Sequence, residues 1–382
     1  MQEFKNSKLP LIIFGAGVVG EEVLRVCDEE GLKVACFCDD NKDKKNIKDK
    51  AVIHTSKIKD FYPNANFIIT SADIKDVKLK LLSLEYAESN LYSCIAFLDY
   101  KKFKKGYISY AIEAALRCQK EFEKSSQIFL RSIDIVVTER CNLRCKDCSN
   151  LMQFFSKPLD YGINDLKVAI RLLSSKVDII QEARVIGGEP FINKDLHLIL
   201  KILVETPNIE KVVIYTNGII PPKPFQVEYL KHSKIVFMIT DYTGYLNKYK
   251  KNLDNLEDLC KKENITYRRS PPENWVYCSE IKYHNRTEKD LCDLFQECCA
   301  KNLFTLSKNE VHRCPFSAHI TRLGICNFEE DYLNLNNKNL DFLSFIHGKN
   351  YLQACNYCSG RRLSDDKIIP AIQSKKVLPI DV

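Results

Sequence analysis

The 382-residue chain lacks a run of about 18 consecutive apolar residues, so its sequence predicts no transmembrane helix. Its first residues, Met1 to Lys5, lack the basic segment and apolar stretch that mark a secretory signal. The net charge of +7 is modest, and no basic stripe with interleaved aromatic residues suggests a nucleic-acid partner. We therefore expect a cytoplasmic protein that binds no nucleic acid and does not insert into a membrane.

Cysteine is the residue that the chain has in excess, with 17 copies. In a reducing compartment, cysteines are metal ligands, catalytic thiols or core residues more often than disulfides. Three of them lie between positions 141 and 148, and eight lie from position 278 onward. This uneven distribution predicts two separate cysteine sites.

The first of these is the three-cysteine loop, residues 141–148, with cysteines at the spacing C-x3-C-x2-C: Cys141, Cys145 and Cys148. It directly follows the apolar run Ile133–Val137, so a strand would end in the loop. Thiolates favour zinc or iron–sulfur clusters. A closed zinc site takes four protein ligands, and only three are close in sequence. The spacing alone leaves open a cluster with one free iron, a zinc site with a distant fourth ligand, and purely structural cysteines.

The N-terminal hundred residues predict a Rossmann-like α/β domain. A buried strand, Leu11–Phe14, leads into Gly15-Ala16-Gly17-Val18-Val19-Gly20, then a helix and a second strand that ends at Asp39. This is the order of a dinucleotide-binding unit, in which the glycines admit a phosphate and the acid holds a ribose. With Phe37-Cys38-Asp39-Asp40, the segment resembles the N-terminal domains of nucleotide-sugar enzymes. Gly15, Gly17, Gly20 and Asp39 are thus candidates for binding a nucleotide or nucleotide sugar, and a structural role stays open.

A second α/β pattern begins at Ile133, after a predicted linker helix over residues 101–127. The predicted strands are Ile133–Val137, Ala183–Ile186, Lys211–Thr216 and Lys234–Thr240, and the predicted helices are Ile163–Ser174, Asp195–Glu205 and Leu246–Lys262. Alternating strands and helices predict a parallel sheet, open or curled into a barrel, with its ligand site beyond the carboxyl ends of the strands. Four segments follow those ends: the three-cysteine loop, Gly187–Pro190, Asn217-Gly218 and Asp241–Gly244.

A strand, a C-x3-C-x2-C loop and then Gly187-Gly188-Glu189-Pro190 together resemble the radical S-adenosylmethionine (radical SAM) superfamily. The resemblance implies a partial (β/α)6 barrel over residues 128–270, with the three cysteines holding a [4Fe–4S] cluster whose free iron binds SAM. It implies contacts of Gly187, Gly188 and Glu189 with the methionine amino group, with Pro190 and Asn217 in the same site. Asp147 departs from the family pattern, in which an aromatic or apolar residue precedes the third cysteine.

The C-terminal third supplies a second candidate set: one of Cys298 and Cys299, then Cys314, Cys355 and Cys358. Four thiolates suit zinc or a fully ligated cluster. Their order resembles the Twitch or SPASM extension of radical SAM enzymes, which implies an auxiliary [4Fe–4S] cluster over residues 271–365. We expect the tail, residues 366–382, to pack on the surface or fray.

The resemblance implies an enzyme that cleaves SAM to a 5′-deoxyadenosyl radical, which removes hydrogen from a substrate, with flavodoxin or ferredoxin as the electron donor. Residues 148–152, Cys-Ser-Asn-Leu-Met, resemble radical SAM proteins of surface-polysaccharide clusters. We therefore expect a carbohydrate or nucleotide-sugar substrate that is oxidised or epimerised, with no catalytic side chain assigned. The alternatives are a SPASM-type peptide maturase and a non-catalytic zinc or cluster protein that serves as a docking module.

Overall fold

A computed structural model describes residues 2–121, 127–273 and 275–380 of the chain. The chain divides into two compact units, residues 1–127 and 128–382. Within the described residues, no helix combines the length and the apolarity that crossing a membrane requires.

The first unit is a mainly parallel sheet with helices. Its strands are β1 (Leu11–Phe14), β2 (Val34–Asp39), β3 (Asn46–Ile47), β4 (Lys50–His54), β5 (Asn66–Ile69) and β6 (Leu91–Ser93), and its helices are α1 (Gln2–Asn6), α2 (Val18–Glu29), α3 (Ile58–Phe61), α4 (Ile74–Ser83) and α5 (Tyr107–Glu121). The sheet order is β3-β4-β2-β1-β5-β6, and only the β3–β4 pair is antiparallel. All four residues of β1 are buried, as expected of a central strand covered on both faces.

Helix α5 lies in the segment predicted as a linker, and it belongs to the first unit. The Gln119 side chain, 1% exposed, donates hydrogen bonds to the carbonyls of Ile69 (2.9 Å) and Ser71 (2.8 Å) and accepts one from the Ser93 hydroxyl (2.6 Å). These bonds fix α5 to the ends of β5 and β6, so the segment is part of that unit and does not act as a free spacer. Residues 122–126 of the predicted linker lie outside the described residues.

The second unit is built on a larger sheet. Its strands are β7 (Phe129–Leu130), β8 (Ile133–Thr138), β9 (Ile179–Gly187), β10 (Ile209–Thr216), β11 (Ile235–Thr240), β12 (Thr266–Ser270), β13 (Phe304–Ser307), β14 (Glu310–His312) and β15 (Tyr332–Asn334), and its helices are α6 (Ile163–Ser174), α7 (Leu196–Glu205), α8 (Pro224–Leu230), α9 (Lys250–Lys262), α10 (Glu288–Glu297), α11 (Pro315–Arg322) and α12 (Phe342–His347). The order is β12-β11-β10-β9-β8-β13-β14-β15, with β7 beside β9. From β12 to β13 neighbouring strands are parallel, and β14 and β15 are added antiparallel.

This sheet contains the four predicted strands and five others, β7, β12, β13, β14 and β15. Strand β13 comes from the region predicted as a separate extension, yet it pairs in parallel with β8. The run Phe304–Ser307 is short and has only two strongly apolar residues, so its sequence gives little sign of burial on both faces.

The middle of the tail is bonded to the three-cysteine loop. The Lys146 amide donates to the Ile372 carbonyl (2.8 Å), and the Ser374 amide donates to the Arg144 carbonyl (2.7 Å). The Gln373 side chain accepts a bond from the Arg144 amide (2.7 Å). We call residues 371–374 the strap. Their hydrogen bonds hold this segment on the loop, so of the two behaviours expected of the tail, packing and fraying, this part of it packs.

Candidate functional site

The three-cysteine loop is held against the segment that follows β9 by backbone contacts. The Gly188 amide donates to the Thr138 carbonyl (2.9 Å), and the Glu189 amide donates to the Arg140 carbonyl (2.8 Å). A Cβ atom on Gly187 would lie 2.0 Å from the Thr138 oxygen, and one on Gly188 would lie 2.1 Å from the Arg140 oxygen. Gly187 also has a positive φ of 149°. Both glycines are therefore required for the close approach of the two segments.

The Glu189 side chain is bonded within the protein, to residues at the end of β10. This side chain is 0% exposed and accepts hydrogen bonds from the Thr216 hydroxyl (2.7 Å) and the Asn217 amide (2.9 Å). Burial raises the pKa of Glu189 to about 7, against the opposing effect of these donors. The carboxylate thus joins the end of β9 to the end of β10 and positions Asn217, and it does not line the cavity described below. Pro190 is also buried and begins a short 3-10 turn.

Asn217 connects β10 to the three-cysteine loop. Its amide nitrogen donates to the Asn142 side-chain oxygen (2.9 Å) and lies 3.9 Å from the Cys141 sulfur. Its own side-chain oxygen accepts a bond from the Ile219 amide (3.0 Å), which fixes its orientation. The Asn142 amide nitrogen is buried without a partner, so the loop keeps an unused donor beside the first cysteine.

A cavity of about 460 Å³ opens over the carboxyl ends of these strands. Its walls include Cys141, Cys145, Cys148, Gly187, Gly188, Asn217 and Tyr242. Three thiols and exposed glycine backbone around a cavity large enough for a small molecule fit a cluster that binds SAM. Burial raises the pKa of the Cys145 thiol to about 11, and burial likewise raises the pKa of Cys141 and Cys148.

Arg140, which directly precedes the first cysteine, is paired with an acidic residue. Its guanidinium pairs with the Asp160 carboxylate, with Nε 3.0 Å from Oδ1. The strap provides a closer polar neighbour, because the Gln373 amide nitrogen lies 3.3 Å from the Cys145 sulfur. Asp147, the departure from the family pattern, lines the cavity and accepts a weak bond from the Ser279 hydroxyl (3.5 Å).

The second cysteine set surrounds a much smaller pocket of about 50 Å³. We call it the closed pocket, and its cysteines are Cys278, Cys298, Cys314, Cys355 and Cys358. Phe295, Phe316 and Leu352 supply apolar walls. The four thiols predicted as ligands therefore meet around one space, which fits a fully ligated cluster.

The structure separates the two adjacent cysteines that the sequence could not. Cys298 lines the closed pocket at the end of α10, whereas Cys299 is exposed and is absent from the pocket wall. The Cys299 amide donates to the Arg361 carbonyl (2.8 Å), which turns this residue outward from the end of the helix. Of the two cysteines, only Cys298 lines the closed pocket.

Backbone amides point at sulfur in both sites. The Leu143 amide lies 3.4 Å from the Cys141 sulfur in the three-cysteine loop. In the closed pocket the corresponding distances are 3.4 Å for Ala300 to Cys298, 3.4 Å for Ser317 to Cys314 and 3.3 Å for Gly360 to Cys358. Amide hydrogen bonds to cysteine sulfur stabilise negative charge and tune cluster potentials.

Four residues line both the cavity and the closed pocket: Ser149, Cys278, Pro315 and Arg361. Cys278 is the one thiol in this shared wall. Arg361 was not singled out, because an arginine three residues after a cysteine carries no recognisable pattern.

A single metal ion requires ligands that converge at about 2 Å from one point. Among the described residues, no three His, Cys, Asp or Glu side chains are arranged in this way. Ligands of a four-iron cluster bind separate irons and do not need such convergence.

In the first unit, a hydrogen bond joins the glycine-rich segment that is predicted to bind a nucleotide to Asp39, the acid that is predicted to hold a ribose. The Asp39 carboxylate accepts a bond from the Ala16 amide (2.7 Å), and Lys44 lies 3.3 Å from the same carboxylate oxygen and 2.8 Å from the Ala16 carbonyl. A Cβ on Gly20 would lie 2.1 Å from the Gly15 oxygen, whereas one on Gly17 would meet nothing within 4 Å. Gly20 is needed for packing the helix, and Gly17 leaves open space at its start.

Residues 135–264 match the family model of the Radical SAM superfamily. This match supports the radical SAM identification of the segment that contains the three-cysteine loop and Gly187–Pro190. The GTP 3′,8-cyclase of Clostridium acetobutylicum is 35% identical over 98 residues, which are 24% of this chain and 30% of that protein. The molybdenum cofactor biosynthesis protein moc-5 of Caenorhabditis elegans is 34% identical over 86 residues, 22% of this chain and 14% of that protein. The chain thus spans less than a third of the length of these relatives.

Among solved structures, BtrN in complex with AdoMet and 2-DOIA is similar, with a TM-score of 0.42 and 18% identity over 63% of this chain and 97% of that one. The enzyme anSMEcpe with bound AdoMet has a TM-score of 0.38 and 13% identity over 58% of this chain and 82% of that one. These values are too low to carry a functional argument.

Proposed function

We propose that the protein is a radical SAM enzyme in which Cys141, Cys145 and Cys148 hold the SAM-binding [4Fe–4S] cluster. The observation that carries this proposal is the three-cysteine loop bonded to the Gly187–Glu189 backbone at the wall of one cavity. The match of residues 135–264 to the superfamily supports it. When bound, the cluster and SAM supply reductive cleavage to methionine and a 5′-deoxyadenosyl radical.

The chain's own residues hold and enclose these groups. Gly187 and Gly188 leave backbone exposed at the cavity wall, where carbonyl oxygens suit the ammonium of methionine. Glu189 acts indirectly, because its carboxylate accepts a hydrogen bond from the Asn217 backbone amide and so positions Asn217. Tyr242 and Trp275, whose ring centroids are 6.0 Å apart, cover part of the cavity and limit the access of water.

We assign Cys298, Cys314, Cys355 and Cys358 to an auxiliary [4Fe–4S] cluster in a Twitch or SPASM-like region. Four thiols leave no iron open, so this site suits electron transfer and does not suit SAM binding. Removal of a second electron from the substrate makes the net reaction an oxidation, whereas a thiol that returns hydrogen makes it an epimerisation. Cys278, in the wall shared with the cavity, is the candidate for that thiol.

For the substrate we propose a carbohydrate or nucleotide sugar. The polar lining of the cavity supports a hydroxyl-rich small molecule, and Asp134, Arg184 and Thr240 contribute to it. A relative named GTP 3′,8-cyclase matches 24% of this chain, so GTP is included below as a competing substrate.

For the first unit we propose a Rossmann-like nucleotide site at the start of α2. The open space at Gly17 supports it, because a phosphate would need close approach to the backbone there. Gly17→Val should abolish the protection that UDP-glucose gives against thermal unfolding. Gly31→Val, at another glycine with open space, is an imperfect control because its φ is +70°. Gly244→Ala in the second unit is therefore the matched control, and equal protection of all variants would contradict the proposal.

The decisive experiment is anaerobic reconstitution followed by iron analysis and SAM turnover. Two four-iron clusters predict about eight irons per chain, and Cys145→Ala should remove about four of them. With SAM and dithionite, wild type should release 5′-deoxyadenosine and Cys145→Ala should not. A fully loaded wild type that releases none would favour the docking module, and stimulation by GTP or a peptide over sugars would favour a cyclase or a maturase.

A further inference from the structure

Asp134 is a charged residue in the middle of an apolar strand. It is the second residue of β8, is 4% exposed and lies between Ile133 and Ile135, which belong to the hydrophobic core. Its side chain lines the cavity. Burying a carboxylate is costly unless other groups compensate for the lost water, so its presence at this position requires an explanation.

The protein does not compensate this carboxylate with hydrogen bonds. Within residues 2–121, 127–273 and 275–380, no donor bonds to Asp134, although the cations Arg184 and Arg361 act on it electrostatically. Arg184 is its partner in the neighbouring strand β9. The guanidinium of Arg184 bonds to the Glu182 carboxylate (3.0 Å) and lies 5.6 Å from the centre of the Tyr215 ring. The Asp134 oxygens therefore keep their acceptor capacity for a molecule in the cavity.

The charges around this carboxylate decide what kind of donor suits it. Asp134 and Glu182 carry two negative charges, and Arg184 and Arg361 carry two positive ones, so the group is balanced. The ammonium of a ligand would be repelled by the two guanidinium groups. An anionic ligand would be repelled by the two carboxylates. Burial raises the pKa of Asp134 to about 6, and both arginines oppose the rise. A neutral donor fits best.

We infer that Asp134 is a substrate-binding residue that accepts a hydrogen bond from a neutral hydroxyl group, and that the substrate is an uncharged polyol at that end. This inference rests on the proposed function, because it assigns the substrate class of the same cavity. Hydroxyl recognition by a buried, otherwise unpaired carboxylate discriminates strongly, since a ligand without the hydroxyl leaves the acceptor unsatisfied.

Binding of myo-inositol, measured by saturation-transfer NMR on the anaerobically reconstituted protein, tests the inference without turnover. Wild type should bind it at millimolar concentration, and Asp134→Asn should weaken binding roughly ten-fold, because a hydrogen bond to a charged acceptor is lost. Asp258→Asn removes the same charge from an exposed helix position and should bind as wild type does. Glucosamine, which carries an ammonium, should bind more weakly than myo-inositol.

Three results would overturn the inference. They are no saturation transfer from wild type to myo-inositol, equal binding of myo-inositol by Asp134→Asn and wild type, and stronger binding of glucosamine than of myo-inositol. A fall in melting temperature of more than about 5 °C in Asp134→Asn would assign the carboxylate to fold stability instead. Failure of the proposed function has a separate signature, because wild type would then release no 5′-deoxyadenosine whether or not it binds myo-inositol.

Discussion

The second unit contains two cysteine sites whose surroundings differ in volume and polarity. The three-cysteine loop borders a cavity of about 460 Å³ with charged and polar walls, whereas the closed pocket has about 50 Å³ and apolar walls. Backbone amides point at sulfur in both. The difference therefore lies in what surrounds the thiols: one site leaves room for a ligand, and the other does not.

Gly188→Ala should have the largest effect on the difference between the two sites. It should disrupt the site at the three-cysteine loop and leave the closed pocket intact. The added methyl group would lie 2.1 Å from the Arg140 oxygen and push the three-cysteine loop away from β9. We expect loss of about four irons and no detectable SAM cleavage. Gly244→Ala, where the methyl group meets nothing within 4 Å, should behave as wild type. If Gly188→Ala kept the iron content of wild type, this would contradict the close approach of the three-cysteine loop to the segment that follows β9.

Cys298→Ala should disrupt the cysteine site of the closed pocket and leave the site at the three-cysteine loop intact. We expect loss of about four irons, retained SAM cleavage to 5′-deoxyadenosine and lost conversion of substrate. Cys299→Ala, one residue further along, should retain all the iron because its side chain lies outside the pocket. Iron analysis and electron paramagnetic resonance check the pair, and the opposite outcome would make Cys299 the ligand.

Acid should destabilise the closed site through His319, which lies on α11 after Cys314 and is 3% exposed. Burial lowers the pKa of His319 to about 3, so the unfolded chain binds a proton at higher pH than the folded one. Stability from this residue is complete above about pH 6.5 and is lost as the pH falls, by about 2 kcal/mol between pH 7 and 5. His319→Phe should flatten this part of the pH dependence in denaturant unfolding, and an unchanged pH dependence would contradict the prediction.

The smallest effect should come from the strap. Gln373→Ala removes the amide that lies 3.3 Å from the Cys145 sulfur. Loss of a donor to sulfur disfavours the reduced cluster, so its potential should fall by some tens of millivolts. A redox titration followed by electron paramagnetic resonance measures the shift. Gln353→Ala, in the turn beside the closed pocket, is the control, and an equal shift there would show that the effect is not local.

Local patterns in the sequence predicted the parts of the site that lie within one loop or at one strand end. The helix Ile163–Ser174 was predicted with the observed bounds, because its apolar residues recur at helical spacing. The three-cysteine loop and Gly187–Pro190 were predicted at neighbouring strand ends, where β8 and β9 indeed end side by side. In such cases the local sequence is enough to specify where these residues lie.

Contacts between distant segments could not be predicted in this way. The inward orientation of Glu189 depends on Thr216 and Asn217, which follow 27 and 28 residues later. The choice of Cys298 depends on how α10 ends against Arg361, and neither cysteine differs from the other in sequence pattern. The strap contains no motif: Ile372 and Ser374 bond to the loop through their backbone, and Gln373 bonds to it through its side chain.

The strap also sets a condition on how the protein matures. Gln373 follows Cys145 by 228 residues, so during synthesis the loop emerges long before the segment that will cover it. A nascent chain therefore exposes its three thiols while the closing hydrogen bonds do not yet exist. Residues 371–374 can therefore cover the loop only when synthesis of the chain is nearly complete.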